Sequence, residues 1–442
     1  MIPLLIPLHG IGGRQDLPLP FPVVLAAAAA AVVASFVVLA LAWPTSRYSG
    51  TGSGVALPTL TRILDHSVLR WAVRVFGLAA AAWAGMALLF GPDRLTNPFF
   101  GFLYVWIWVG LVPVSLLLGP VWRTLSPFRT LHLLAAQAAR QPPDQGVLGR
   151  LPPRVGLWPA AVLLFSFIWL ELVAPDRTTI PIVLLWVAIY VAVLGFGGLL
   201  FGQHWYAAAD PFEAYATLMA KLSPWGRNNQ QTIVARPPLA NLATLVARPG
   251  TVAFVAILLG STAFDGFSNS TSWIGWLQEE PRPTVLVSTA ALVGMIAIVV
   301  VTYRLAVFLS GRLTESAVAG DPGTFIHSLI PIALGYVVAH YLTLSLFEGQ
   351  RTLILWSDPL ALGWNVFGTA EWGVGLALFN YATAIAVAQA GAVVGGHLLG
   401  IIAAHDRAIA VSPPDRAVIG QIPMLLVMVG YTLGGLWLLF SQ

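Results

Sequence analysis

The 442-residue chain contains no cysteine, which excludes disulfides, thiolate metal sites and cysteine nucleophiles. Charge is nearly as scarce. Asp, Glu, Lys and Arg together make 9% of the residues, against roughly 25% in a soluble domain. No stretch is both long and polar enough to fold as a separate water-exposed unit. What is abundant is apolar: 58% hydrophobic residues, 17 Trp, and a mean hydropathy of +0.82. This is the composition of a polytopic integral membrane protein, with the lipid bilayer as its first partner. The formal charge of +4 does not point to nucleic acid, because the arginines sit in loops between apolar runs, where topology accounts for them.

A spanning helix needs about 20 mostly apolar residues. Ten runs qualify, at 21–43, 71–91, 98–121, 157–174, 179–202, 249–267, 284–309, 325–347, 374–404 and 418–440. The expected fold is a single all-α domain over 1–442, a membrane-embedded bundle of about ten transmembrane helices. Seventeen of the 22 basic residues fall in the loops after the first, third, fifth, seventh and ninth runs or in the adjoining helix ends. Only Arg14, Arg94, Arg177, Arg282 and Arg351 lie on the opposite side. The positive-inside rule then places both termini outside the cytoplasm, with 1–20 as an outer amino-terminal segment. "MIPLLIPLHG" is too short for a signal peptide and lacks a basic start, so either the start is truncated or the first helix carries the terminus across.

Two cytoplasmic connections, 123–156 and 203–248, are alike. "GPVWRTLSPFRTLHLL" and "GQHWYAAADPFEAYATL" each place Trp three residues after Gly, then Pro-Phe, then an amphipathic stretch. Both are expected to carry interfacial helices lying in the headgroup plane.

Ionisable residues inside such a chain are functional candidates by default, because a charge in hydrocarbon is costly. Glu171, in "SFIWLELVAPD", lies about 6 Å below the outer surface at 1.5 Å per residue, and His340 about 10 Å below it. Asp265 closes the sixth run on the same side, and His9 belongs to the outer segment. Imidazole and carboxylate together suit zinc or a similar divalent ion, which lowers the pKa of bound water to about 7. The expected metal set is His9, Asp265, His340 and Glu171, with Glu171, Asp265 and His340 as catalytic candidates. His327, His397 and His405 form a second, inner candidate set, without a short metal-ligand spacing such as HExxH. The plainer alternative for each is a paired carboxylate or a structural histidine. "HGIGG" looks like an esterase oxyanion loop, but no G-x-S-x-G elbow accompanies it.

Four stretches, "HGIGGRQDLPLPFP", "DPFEAYATLMAKLSPWGR", "GSTAFDGFS" and "GGHLLGIIAAHDRA", resemble the bacterial, largely actinobacterial, multi-pass membrane proteins known as fenitrothion hydrolases. The resemblance runs from residue 9 to the last helix. It implies hydrolysis of an organophosphorus triester in the cytoplasmic membrane. His9, Asp16, Asp265 and His397 fall within its motifs, whereas Glu171 and His340 come from depth alone. Three functions are therefore expected to compete. The first is a metal-dependent hydrolase of a small apolar ester, with its site near the outer leaflet. The second is a permease for a metal ion or small apolar molecule. The third is a non-catalytic subunit of a homo- or hetero-oligomeric membrane complex.

Overall fold

The computed structural model describes residues 13–48 and 54–440. Among the described residues nine helices are long and apolar enough to cross a membrane, and a bent pair supplies a tenth. In chain order the main helices are α1 (Phe21–Ala42), α2 (Ser67–Phe90), α3 (Pro98–Ile107 joined to Leu111–Leu118), α4 (Pro127–Ala138) and α5 (Trp158–Leu172). They continue with α6 (Ile180–Phe201), α7 (Pro211–Met219), α8 (Thr251–Ser268) and α9 (Thr284–Thr314). The last are α10 (Leu329–Leu355), α11 (Ala382–Val411) and α12 (Ile422–Phe440). Phe21, in the first turn of α1, meets Phe440 at the end of α12 with ring centroids 6.0 Å apart.

The third crossing is not the straight helix its apolar run suggests. Its two halves meet at 43°. Phe102–Ile107 is wound as a π-helix, with Trp108 N donating to Leu103 O and Gly110 N to Val105 O, each five residues back. Pro113, in the second half, has no N–H to give, and this together with Gly110 lets the helix break here. Such π-turns recur at functional sites.

The two similar connections share one local design. Gly119 and Gly202 both close a helix with positive φ, 76° and 66°. Each is followed by a one-turn helix, Trp122–Leu125 or Tyr206–Ala209, and then by a helix starting at Pro127 or Pro211. Their burial differs. In α4 only Arg129 and Thr130 are buried, so α4 lies on the surface of the bundle. In α7 eight of nine residues are buried, and Phe212 packs on Phe167 of α5 and Trp186 of α6. The expectation of an interfacial helix in 203–248 is corrected for α7, which turns back into the bundle.

The connection also carries a small antiparallel sheet absent from the sequence reading. It is formed by β1 (Val55–Ala56), β2 (Trp225–Arg227) and β3 (Ile233–Ala235) in the order β1-β3-β2. The sheet fastens the loop after α1 to the connection after α6.

The most extensive helix pairing is α10 with α11. A side chain at Gly335 would run into Ala392 O, and one at Gly396 would lie 2.5 Å from Pro331 O, so only glycine permits this approach. α10 runs eight residues past the expected end at 347. His340 is therefore 15 residues from the end of its helix, about 22 Å rather than 10 Å.

Candidate functional site

Three helices bring the sequence-selected residues together. On α5, Phe167 and Glu171 are one turn apart and share a face. Phe167 packs against Trp108 at 5.3 Å and Tyr104 at 6.0 Å, which turns Glu171 toward the π-wound part of α3. On α8, Asp265 stands in the last full turn. On α10, His340 and Tyr341 are adjacent, their rings edge to face at 4.8 Å.

Asp265 is the hub. Its Oδ2 is hydrogen-bonded to His340 Nε2 at 2.7 Å and accepts from Tyr341 Oη at 3.2 Å. Its Oδ1 accepts from Asn269 Nδ2 at 3.0 Å, one turn on along the same helix. Asp265, His340 and Tyr341 are all buried. An aspartate against an imidazole fixes the ring and its tautomer, the arrangement general acid–base sites use.

Glu171 is placed differently. Part of the residue is exposed, yet Oε2 itself is sealed and has no hydrogen-bond partner among the described residues. It lies within electrostatic range of Asp265, Tyr341, Tyr215 and Tyr104. Arg177, the nearest cation acting on it, donates instead to Leu172 O at 3.2 Å. Two more buried polar atoms beside it are unpartnered, Trp108 Nε1 and Tyr215 Oη. Their rings stack at 5.0 Å, and Trp108 lies beside the Tyr341 hydroxyl without a hydrogen bond of normal geometry. One buried group left without a partner costs about 1–3 kcal/mol. An unpartnered carboxylate oxygen with two unpartnered donors nearby marks a place where water or a small polar guest completes the bonding.

The structure thus joins Asp265 to His340 and sets Glu171 beside them. His9 lies outside the described residues. Among the described residues no three His, Cys, Asp or Glu side chains group as a metal would need. The inner set, His327, His397 and His405, is buried but engaged separately. His405 is bonded to Gln421 Oε1 at 2.8 Å and to Trp43 O at 3.1 Å. His397 Nδ1 is bonded to Val393 O at 2.9 Å, and His327 is hydrogen-bonded to the backbone of Ala403 and Thr324.

A second polar cluster lies at the arginine-rich end. Asp210 caps α7 through Phe212 N and Glu213 N, and also accepts from Trp122 Nε1 at 2.9 Å and Tyr190 Oη at 3.0 Å. Burial, and then the charge of Glu213, push the Asp210 carboxyl up to about 6 against those donors. Glu213 takes both arms of the Arg129 guanidinium, at 2.6 and 2.7 Å.

Sequence reasoning missed Trp108, Tyr215 and Tyr341. Aromatic residues in apolar runs carry no mark separating a site wall from ordinary core, and only the neighbouring break at Gly110–Pro113 hinted at one. No family model, curated protein or solved structure matches this chain.

Proposed function

We propose that Glu171, with the Asp265–His340 pair and Tyr341, forms the acid–base site of a membrane-embedded hydrolase acting on an apolar ester of the organophosphorus triester type. The observation that carries the reading is the unpartnered Glu171 Oε2 beside a hydrogen-bonded Asp–His pair. Because this oxygen accepts from no donor among the described residues, its lone pairs are left for a water held inside the site. Glu171 Oε2 takes a proton from that water as its oxygen bonds to the electrophilic centre. The bond to the leaving oxygen breaks, and the proton passes from Glu171 to that oxygen. Trp108 Nε1 and Tyr215 Oη are the donors left over to hold the substrate's polar atoms. A divalent ion held by His9, Asp265, His340 and Glu171 would supply a water of lowered pKa. The hydrogen bonds already occupying both oxygens of Asp265 favour the acid–base form instead.

A second reading, a proton-coupled permease, is favoured by one further observation. From the level of His340 onward, the α10–α11 interface holds Gln389 Oε1 and His397 Nε2, both buried and without hydrogen-bond partners among the described residues. Gln389 Nε2 donates to Ala339 O at 2.9 Å, next to His340. From Gln389 to His405 is 16 residues of one helix, about 24 Å. Such a file suits proton relay.

The test is hydrolysis of chromogenic phosphotriesters by the protein in lipid nanodiscs, wild type beside Glu171→Gln. The expected loss is roughly 10²–10⁴-fold, the range of a removed general base. Equal rates in both would dismiss the assignment. No hydrolysis by the wild type, with proton-dependent flux in vesicles, would establish the second reading.

A further inference from the structure

A cavity of about 300 Å³ opens at the arginine-rich end, where α7, the loop after it and the start of α8 meet. Arg123, Lys221 and Arg248 line it, along with Thr217, Thr244 and Thr251. Arg123 and Arg248 are exposed at the mouth, whereas Lys221 is half-buried. The only carboxylate on the wall is Glu213, already held on both oxygens by Arg129 and 3.3 Å from Arg123.

The remaining cations are undercompensated. Among the described residues neither Lys221 nor Arg248 makes an ion pair. Lys221 Nζ donates to Thr244 Oγ1 at 2.7 Å, and Arg248 Nη2 to Ala207 O at 3.1 Å. Glu213 attracts Arg248 while Arg123 repels it, and a further cation, buried Arg236, acts on Lys221 with no carboxylate to offset it there. Two nitrogens of Arg236, Nε and Nη1, have no hydrogen-bond partner among the described residues. Burial and the Arg236 charge hold the Lys221 amine below its usual value, the opposite of what a lysine serving a carboxylate would show. Like charges gathered around an open space lower their energy by taking up an anion, and guanidinium forks with an ammonium match phosphate oxygens.

We propose that this cavity binds a phosphate group, carried either by a free phosphate ion or by the headgroup of an anionic lipid. The cavity opens by Leu157, at the start of α5, whereas Glu171 is near the end of that helix, and the proposal stands independently of the hydrolase reading. Arg123 and Arg248 at the mouth take the anion's outer oxygens, and Lys221 meets it from within.

The experiment is thermal unfolding of the purified protein by tryptophan fluorescence, at constant ionic strength balanced with chloride. One arm titrates inorganic phosphate into the protein in neutral detergent. The other compares vesicles of phosphatidylcholine with vesicles also containing phosphatidylglycerol. Wild type is expected to gain stability in at least one arm. A response to phosphate in detergent identifies a free-anion site, and a response to phosphatidylglycerol alone identifies a headgroup site. Lys221→Gln and Arg248→Gln should each weaken the response about tenfold in ligand concentration. Arg248 is exposed, so that variant reports binding even where Lys221→Gln loses its fold. No response in either arm, or an undiminished response in both variants, overturns the proposal.

Discussion

Glu171 offers a test that separates a working carboxylate from a structural one. A structural glutamate accepts hydrogen bonds, and truncating it orphans its donors. Glu171 Oε2 accepts none from the described residues, so Glu171→Gln removes no such bond there and should change stability by less than about 1 kcal/mol. Glu171→Leu goes further. It removes a buried acceptor whose isolation costs about 1–3 kcal/mol and puts apolar volume in its place. Melting temperatures shift about 2–4 °C per kcal/mol in domains of 150–250 residues and less in larger ones. Glu171→Leu should therefore raise the midpoint by roughly 1–4 °C. The 17 tryptophans make fluorescence-monitored unfolding in detergent the natural assay. Activity should move the other way and disappear in both variants. If Glu171→Gln instead lowers the midpoint as far as Asp265→Ala does, Glu171 is a structural acceptor and the catalytic argument fails.

Other perturbations have defined outcomes. Asp265→Ala leaves His340, Tyr341 and Asn269 without their shared acceptor and should cost about 3 kcal/mol or more, while Asp265→Asn, which keeps one acceptor oxygen, should cost less in the same melt. Arg129→Met leaves Glu213, 2% exposed, with only the exposed Arg123 at 3.3 Å, and should destabilise by up to about 3–5 kcal/mol, with Glu213→Gln in the same background restoring part of the loss. Asp210, held at about 6 when folded against an ordinary 3.8, contributes stability that is fully present below about pH 4 and lost as pH rises through 6. Asp210→Asn should flatten the melting temperature across that window. Elemental analysis of wild type beside His340→Ala addresses the divalent-metal form. Stoichiometric metal that falls in the variant would install it, and metal unaffected by the variant would remove His340 from any ligand set.

The membrane architecture was legible because each crossing is written locally as an apolar run. The bend in α3 was not, since hydropathy carries no information on whether Trp108 N bonds four or five residues back. α7 shows the deeper limit. Asp210, Glu213 and Lys221 make its sequence look amphipathic. It is buried because Glu213 is matched by Arg129, 84 residues upstream, and Asp210 by Trp122, 88 residues upstream. A partner that distant leaves no trace in periodicity. At the site, the sequence put Asp265 and His340 in one layer and they do meet across 75 residues, although His340 lies further from the end of its helix than that layer implied. The same reasoning placed His327, His397 and His405 together, where each had instead found a partner of its own on the backbone or on Gln421. Depth finds residues in one layer, and only packing decides which of them face each other.

The burial of α7 has a consequence for how the protein is made. At nine residues the helix is about 13 Å long, too short to cross a hydrocarbon core of about 30 Å. Its Asp210 and Glu213 would resist entering lipid alone. The segment has no means of inserting by itself, so its docking waits until α3, α4, α5 and α6 are in place to receive it. Biogenesis then has two stages, insertion of the apolar helices followed by closure of a wedge that the Arg129–Glu213 pair latches. An Arg129 variant would stall between them, with every crossing in the membrane and residues 203–248 still open to protease.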